Sequence, residues 1–275
     1  MNLMENAPIT VKKDKYYKNA PISEVIFGVT FSRGILGINN LIFDLITDFK
    51  DNYPIVYAQN PLFDEELQDF RLLTNLNLHQ TGQAVYRLQN ESEKRLIQLQ
   101  HNKFFFNWVR KDNQSVGEYP GFTKLYNLFS NGYESIVKKF AKLLPDMEVD
   151  NYVKYYELHY QDRLNWQQYI TDLSEIDKIL KIRIPFMPNL NGGIYAPNNI
   201  FSKFTIPMPD QAGFSTITIS TASSEQGEQL LVVECSIKGK KVEALSRKEW
   251  FLKARDMQLQ LFDQLFQAEI LQSWA

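Results

Sequence analysis

Three histidines and one cysteine carry most of the chemistry available to this 275-residue chain. Glu157 and His159 stand two apart in the alternating run YVKYYELHY, so an extended strand puts both side chains on one face. A carboxylate beside an imidazole is the core of many acid–base pairs. The plainer reading is a structural contact, because no third ligand or nucleophile lies at an informative spacing. His79 and His101 fall at the ends of expected strands and read as surface imidazoles. Cys235, in LLVVECSIK, keeps phase with Leu231, Val233 and Ile237, which makes it an interior strand residue rather than a reactive thiolate. The chain holds no G-x-S-x-G elbow, no H-E-x-x-H pair and no glycine-rich phosphate loop; Asn191-Gly192-Gly193 is a turn signal without a following lysine. No cofactor or metal is therefore expected, and no catalytic residue is assigned.

The segment Arg95 to Arg110, RLIQLQHNKFFFNWVR, is the most distinctive. As a strand, its second part shows Phe104, Phe106 and Trp108 on one face and Lys103, Phe105, Asn107 and Val109 on the other. Aromatic rings flanked by Arg95, Lys103 and Arg110 could stack bases and hold phosphates. The competing reading is a central strand whose rings build the core beneath a helix.

These residues need elements to hold them. Ile22 to Phe31 alternates, with Val25, Phe27, Val29 and Phe31 on one face and Glu24, Ile26, Gly28 and Thr30 on the other, which predicts a strand. Ile38, Leu41, Ile42, Leu45 and Phe49 are spaced for a helix of about three turns that ends before Pro54. FRLLTNLNL, AVYRLQN, RLIQLQ and KFFFNWVR read as an antiparallel meander, and Phe122 to Leu144 as a long amphipathic helix. The second half follows the same order. A strand over Tyr152 to Tyr160 precedes a helical connection, NWQQYITDLSEIDKIL. The strands KIRIPF, KFTIPM, FSTITIST and LLVVECSIK come next, and then a terminal helix whose Ser246 and Glu249 have capping-box spacing.

The expected fold class is α+β. Two similar β-α-β(3–4)-α modules, residues 19–145 and 146–275, or one continuous domain of the same elements, form a curved antiparallel sheet packed by long helices, in the shape of the TATA-box-binding protein or of helix-grip folds. Residues 1–18 read as a flexible N-terminal tail. Lys and Arg number 30 against 32 Asp and Glu, and the pI is near 6.0, so a sequence-independent coat for nucleic acid is disfavoured. One cysteine rules out an intramolecular disulfide framework, and no apolar run is long enough to span a bilayer. A cytoplasmic protein without membrane association is expected.

The segments NAPISEVIFGVTF (Asn19 to Phe31) and LIQLQHNKFFFNW (Leu96 to Trp108), with Tyr119-Pro120 opening a helix, carry a resemblance. The chain resembles a sporadically distributed bacterial family of uncharacterised proteins of about this length, marked by an N-terminal N-A-P-[IV]-x-E-V strand. The resemblance implies that Glu24, Asn107, Trp108 and Tyr119 are the positions to inspect first, and its scattered distribution implies genes that travel with mobile or defence-type loci. It also implies a histidine in the last helix, where Ala254-Arg255-Asp256-Met257 has none. Three functions stay open at this point: a non-enzymatic binding or scaffold protein acting through protein partners or self-association, a nucleic-acid binder using the Phe104–Trp108 strand, and an unrecognised hydrolase. The abundant tyrosines, which suit interfaces, favour the first.

Overall fold

The computed structural model of the chain describes residues 17, 19–62, 84–92, 94–110, 119–182, 199–208 and 213–275. The expected tail, the FRLLTNLNL and KIRIPF strands and His79 lie wholly or largely outside these residues. The chain is α+β, built on one large antiparallel sheet.

The alternation in ISEVIFGVTF gives β1 (Ile22–Phe31). A 3-10 turn over Ile35–Asn40 follows, and α1 (Leu41–Phe49) begins only at Leu41. It starts there because Asn39 and Asn40 take left-handed φ values of 45° and 61°, a conformation asparagine tolerates and a helix does not. Next come β2 (Ile55–Gln59), β3 (Val85–Asn90), β4 (Arg95–Gln100), β5 (Lys103–Val109) and the long α2 (Phe122–Leu143). Strand β2 is an addition to the expected elements.

The second half opens with β6 (Val153–Asn165). The expected helical connection is instead two 3-10 turns, Trp166–Gln168 and Leu173–Lys178. Asn165 accepts from the Gln167 amide at 3.1 Å and Asp172 from the Ser174 amide at 2.7 Å, so each side chain caps a tight turn of its own and no continuous helix forms. Strands β7 (Phe201–Pro207), β8 (Gly213–Ser223) and β9 (Gln229–Lys240) precede α3 (Arg247–Leu265). Ser246 and Glu249 close the capping box in both directions. The terminal helix breaks at Phe266, because Phe266 bridges Leu180 and the Lys181 amide donates to the Leu265 carbonyl at 2.7 Å; α4 (Ala268–Ser273) is separate.

The nine strands of the described residues run β2-β3-β4-β5-β1-β6-β9-β8-β7, and every neighbouring pair is antiparallel. Outward from the central β1–β6 pair the order is β5, β4, β3, β2 on one side and β9, β8, β7 on the other. The helices pack on one face. Phe27 of β1 shows how: its ring lies 5.4 Å from Phe122 and 5.6 Å from Phe129 of α2, and 5.4 Å from Phe251 of α3. Tilted and stacked ring pairs of this kind add to the area they bury.

Two apolar cores form on this helical face. The larger joins α1, α2 and the first turns of α3 to β1, β4, β5 and β6. The smaller joins Leu164, Ile219 and Val233 to Phe262, Phe266 and Trp274. No helix among the described residues is long and apolar enough to cross a membrane.

Candidate functional site

Strand β5 separates the residues singled out above into two groups. Phe104, Phe106 and Trp108 point at the helices and are 0%, 1% and 4% exposed. Phe104 stacks on Phe129 of α2 with centroids 5.6 Å apart, and at Gly132 the helix comes so close that a Cβ would lie 2.8 Å from the ring. Trp108 meets Tyr119 edge-on at 5.7 Å. These rings are core, so the base-stacking face expected for a nucleic-acid binder does not exist on this strand. The cations are divided as well. Arg95 lies on the helical side with its guanidinium 5.8 Å from the Tyr53 ring centroid, while Arg110 is buried and its amide donates to the Ser23 carbonyl at 2.8 Å. Lys103 turns to the opposite face, where its ammonium donates to the Leu62 carbonyl at 3.3 Å.

That opposite face gathers the other candidates. Asn107, 2% exposed, is the hub. Its Nδ2 donates to Glu24 Oε1 at 2.7 Å, and its Oδ1 accepts from Gln98 Nε2 at 3.0 Å. Gln98 Oε1 in turn accepts from Arg87 Nε at 3.0 Å. The chain of bonds crosses β3, β4, β5 and β1, and both ends of the Asn107 amide are used. A ring floors this lattice: Phe105 lies over Gly28, where an added Cβ would sit 2.1 Å from the ring. Only a residue without a side chain admits the ring there. A groove of about 340 Å³ opens above, lined by Glu24, Arg87, Lys103, Asn107, Glu157 and Lys238 among others.

Glu157 and His159 share this face, as their spacing predicts. Glu157 lines the groove opposite Lys238, its cross-strand partner on β9, and the Lys238 ammonium is 5.1 Å from the Tyr155 ring centroid. His159 is flanked by Ile26 and Ser236. Beyond it, Gln161 Nε2 donates to Glu234 Oε1 at 2.7 Å and Gln161 Oε1 accepts from Arg163 Nε at 2.7 Å. The face is therefore a lattice of amides, carboxylates and cations whose side chains are already held in place. Such a surface presents hydrogen-bonding groups and charge. Among the described residues no three or more His, Cys, Asp and Glu side chains come together as metal ligands. Cys235 is buried 3.9 Å from Ser215 Oγ, and burial pushes its thiol up to about 12, out of reach of thiolate chemistry at neutral pH.

Sequence reasoning misses a second polar cluster on the helical face. Asp162 and Gln258 are both buried there, beside Tyr119, Tyr160 and Arg255. Burial lifts the Asp162 carboxyl to about 7, with the Arg110 guanidinium pulling it back, and burial lifts the Tyr160 phenol to about 12. A signal for it exists in the sequence: Asp162 keeps the phase of Tyr156, Leu158, Tyr160 and Leu164, which makes it an acid in an apolar stripe.

No protein-family model matches this chain, and no curated protein is similar to it in sequence. Among solved structures, the di-domain ARO/CYC StfQ from the steffimycin biosynthetic pathway superposes over 87% of this chain and 93% of that one, at 9% identity. The TM-score of that superposition is 0.18, a level that carries no argument about fold or activity.

Proposed function

We propose that this chain is a non-enzymatic binding protein that acts through protein partners, with the groove on the face away from α2 and α3 as its recognition surface. One observation carries the reading: the bonded series Arg87–Gln98–Asn107–Glu24 spans four strands beside a groove of about 340 Å³. Side chains already locked in a network lose little entropy when a partner arrives, which favours binding over a loose polar surface. Carboxylates at Glu24 and Glu157 and cations at Arg87, Lys103 and Lys238 suit an extended peptide of mixed charge. The near-symmetric strand order about β1 and β6 supports two copies of one helix-grip-like module. Self-association is part of the same proposal. Strand β7 leaves Phe204 and Ile206 45% and 42% exposed on one face and Phe201 74% exposed on the other, apolar side chains of the kind that interfaces cover.

A peptide-display selection against the immobilised chain tests the groove. The expected result is a common mixed-charge motif whose binding falls at least about tenfold in Asn107→Leu, as loss of two buried hydrogen bonds implies. No enrichment, or equal enrichment on the variant, overturns the proposal. Light scattering after size exclusion at several concentrations tests self-association, and a strict monomer at all of them removes that part.

A further inference from the structure

The two cores of the helical face stop short of each other. Where β6 passes beneath α3, between Tyr160 in the larger core and Leu164 in the smaller, lies a half-open cavity of about 50 Å³. That is several times the roughly 10–15 Å³ one water needs on this measure, and too little for a whole aromatic ring. Its polar wall is Asp162, Gln258, Arg255 and the two phenols of Tyr119 and Tyr160, whose oxygens are 3.1 Å apart. Its apolar wall includes Ile22, Leu259 and Phe262.

Two independent features mark this as a made site rather than a packing fault. Asp162 lines the cavity at 2% exposed, and its Oδ1 has no hydrogen-bond partner among the described residues, which is costly for a buried acceptor. The backbone is also re-aimed toward it. In the β1–β6 register Ile22 faces Asp162 and Glu24 faces Gln161, so Ser23 is an extra residue, a β-bulge. Without the bulge Ile22 would share the face of Glu24; with it, Ile22 turns into the cavity. The Ser23 hydroxyl holds the bulge by donating toward Gln161 O at 3.0 Å.

We propose that this cavity receives the neutral, hydrogen-bond-donating head of a small ligand, a primary amide or a hydroxyl, which donates to the Asp162 carboxylate while its apolar tail lies along Ile22, Leu259 and Phe262. Once the carboxyl is ionised, charge decides for a neutral head. A cationic head would join the Arg110 and Arg255 guanidinia around one carboxylate, and an anionic head would face that carboxylate directly. The Gln258 amide beside Asp162 offers both a donor and an acceptor, which complements a carboxamide.

Four probes with related tails separate the alternatives: butyramide, 1-butanol, N,N-dimethylbutyramide and butylammonium, each titrated into the ¹⁵N-labelled full chain. Butyramide and 1-butanol are expected to give saturable amide shifts confined to the segments around Asp162 and Gln258. The dimethylated amide, which has no N–H, and the cation are expected to bind at least about tenfold more weakly, the worth of one hydrogen bond to a charged group. Asp162→Leu removes the acceptor, and Ala20→Leu fills the cavity while leaving Asp162 in place. Both are expected to abolish the response. Failure of butyramide and 1-butanol to saturate, equal affinity for the dimethylated amide, or full binding by a folded Ala20→Leu variant overturns the assignment.

Discussion

Asp162→Asn is the sharpest single test of the electrostatics at the centre of the sheet. Burial raises the carboxyl from 3.8 to about 7, and the unfolded chain keeps the ordinary value. As pH rises between those two values the unfolded chain releases the proton while the folded chain holds it, so folding stability falls across that window. Below it both states are protonated, and above it both are ionised, so the slope vanishes at either side. The gap between the two values corresponds to a ceiling of about 4 kcal/mol, which relaxation around the carboxylate and water entry reduce to about 2–4 kcal/mol. Asparagine carries no charge at any pH and stands in for the protonated acid. Loss of the carboxylate beside Arg110 adds an offset to the variant but not a slope of this origin. The measurement is urea unfolding of both proteins from about pH 4 to about pH 8. The stability difference should swing in favour of Asp162→Asn by about 2–4 kcal/mol across that range, a shift on the order of 5–10 °C in Tm. A difference flat to within about 0.5 kcal/mol would show that the carboxyl titrates normally and that the cavity admits bulk water.

Two further substitutions probe the frame. Gly28→Ala places a Cβ 2.1 Å from the Phe105 ring, so it should cost about 1–3 kcal/mol; adding Phe105→Leu should recover most of that in the same urea titration, and an unchanged midpoint in the single variant would refute the close approach. Ser246→Ala removes the hydroxyl half of the capping box, in which the Ser246 amide donates to Glu249 Oε2 at 2.8 Å and the Glu249 amide to Ser246 Oγ at 3.3 Å. A loss of about 1 kcal/mol is expected, and exchange of the first-turn amides of α3 should quicken with it.

Periodicity reads well here wherever one face of an element is buried and the other is not. Away from the two register shifts at Ile22/Glu24 and Thr30/Phe31, the alternation in β1 and β6 assigns side chains to their correct faces, and the three-and-four spacing in Phe122 to Leu143 marks a helix that the sheet then holds. It reads poorly where no face is buried. IVYAQ in β2 is exposed or half-exposed throughout, so no stripe announces it, and only its pairing with β3 makes it a strand. Local side-chain bonds also defeat periodicity, as at Asn165 and Asp172, where caps cut an apparent helix into turns. The groove is half legible for a related reason. Asn107 and Glu24 can be picked out singly, but nothing in their spacing brings Gln98 and Arg87 to them, because those contacts depend on strand order.

The central strand β6 explains why polar groups concentrate at the middle of this sheet. Consecutive residues on a strand serve opposite faces, so Gln161 enters the lattice with Glu234 and Arg163 while Asp162 enters the cavity under α3. The Ser23 bulge touches both: its hydroxyl lies 3.1 Å from Gln161 Oε1, and its carbonyl accepts the amide of Arg110, whose charge acts on Asp162. A regular strand could satisfy one of these faces but would rotate Ile22 off the other. One extra residue in β1 thus lets a polar groove and a separate polar cavity lie back to back on the same pair of strands, each keeping its own side chains in register.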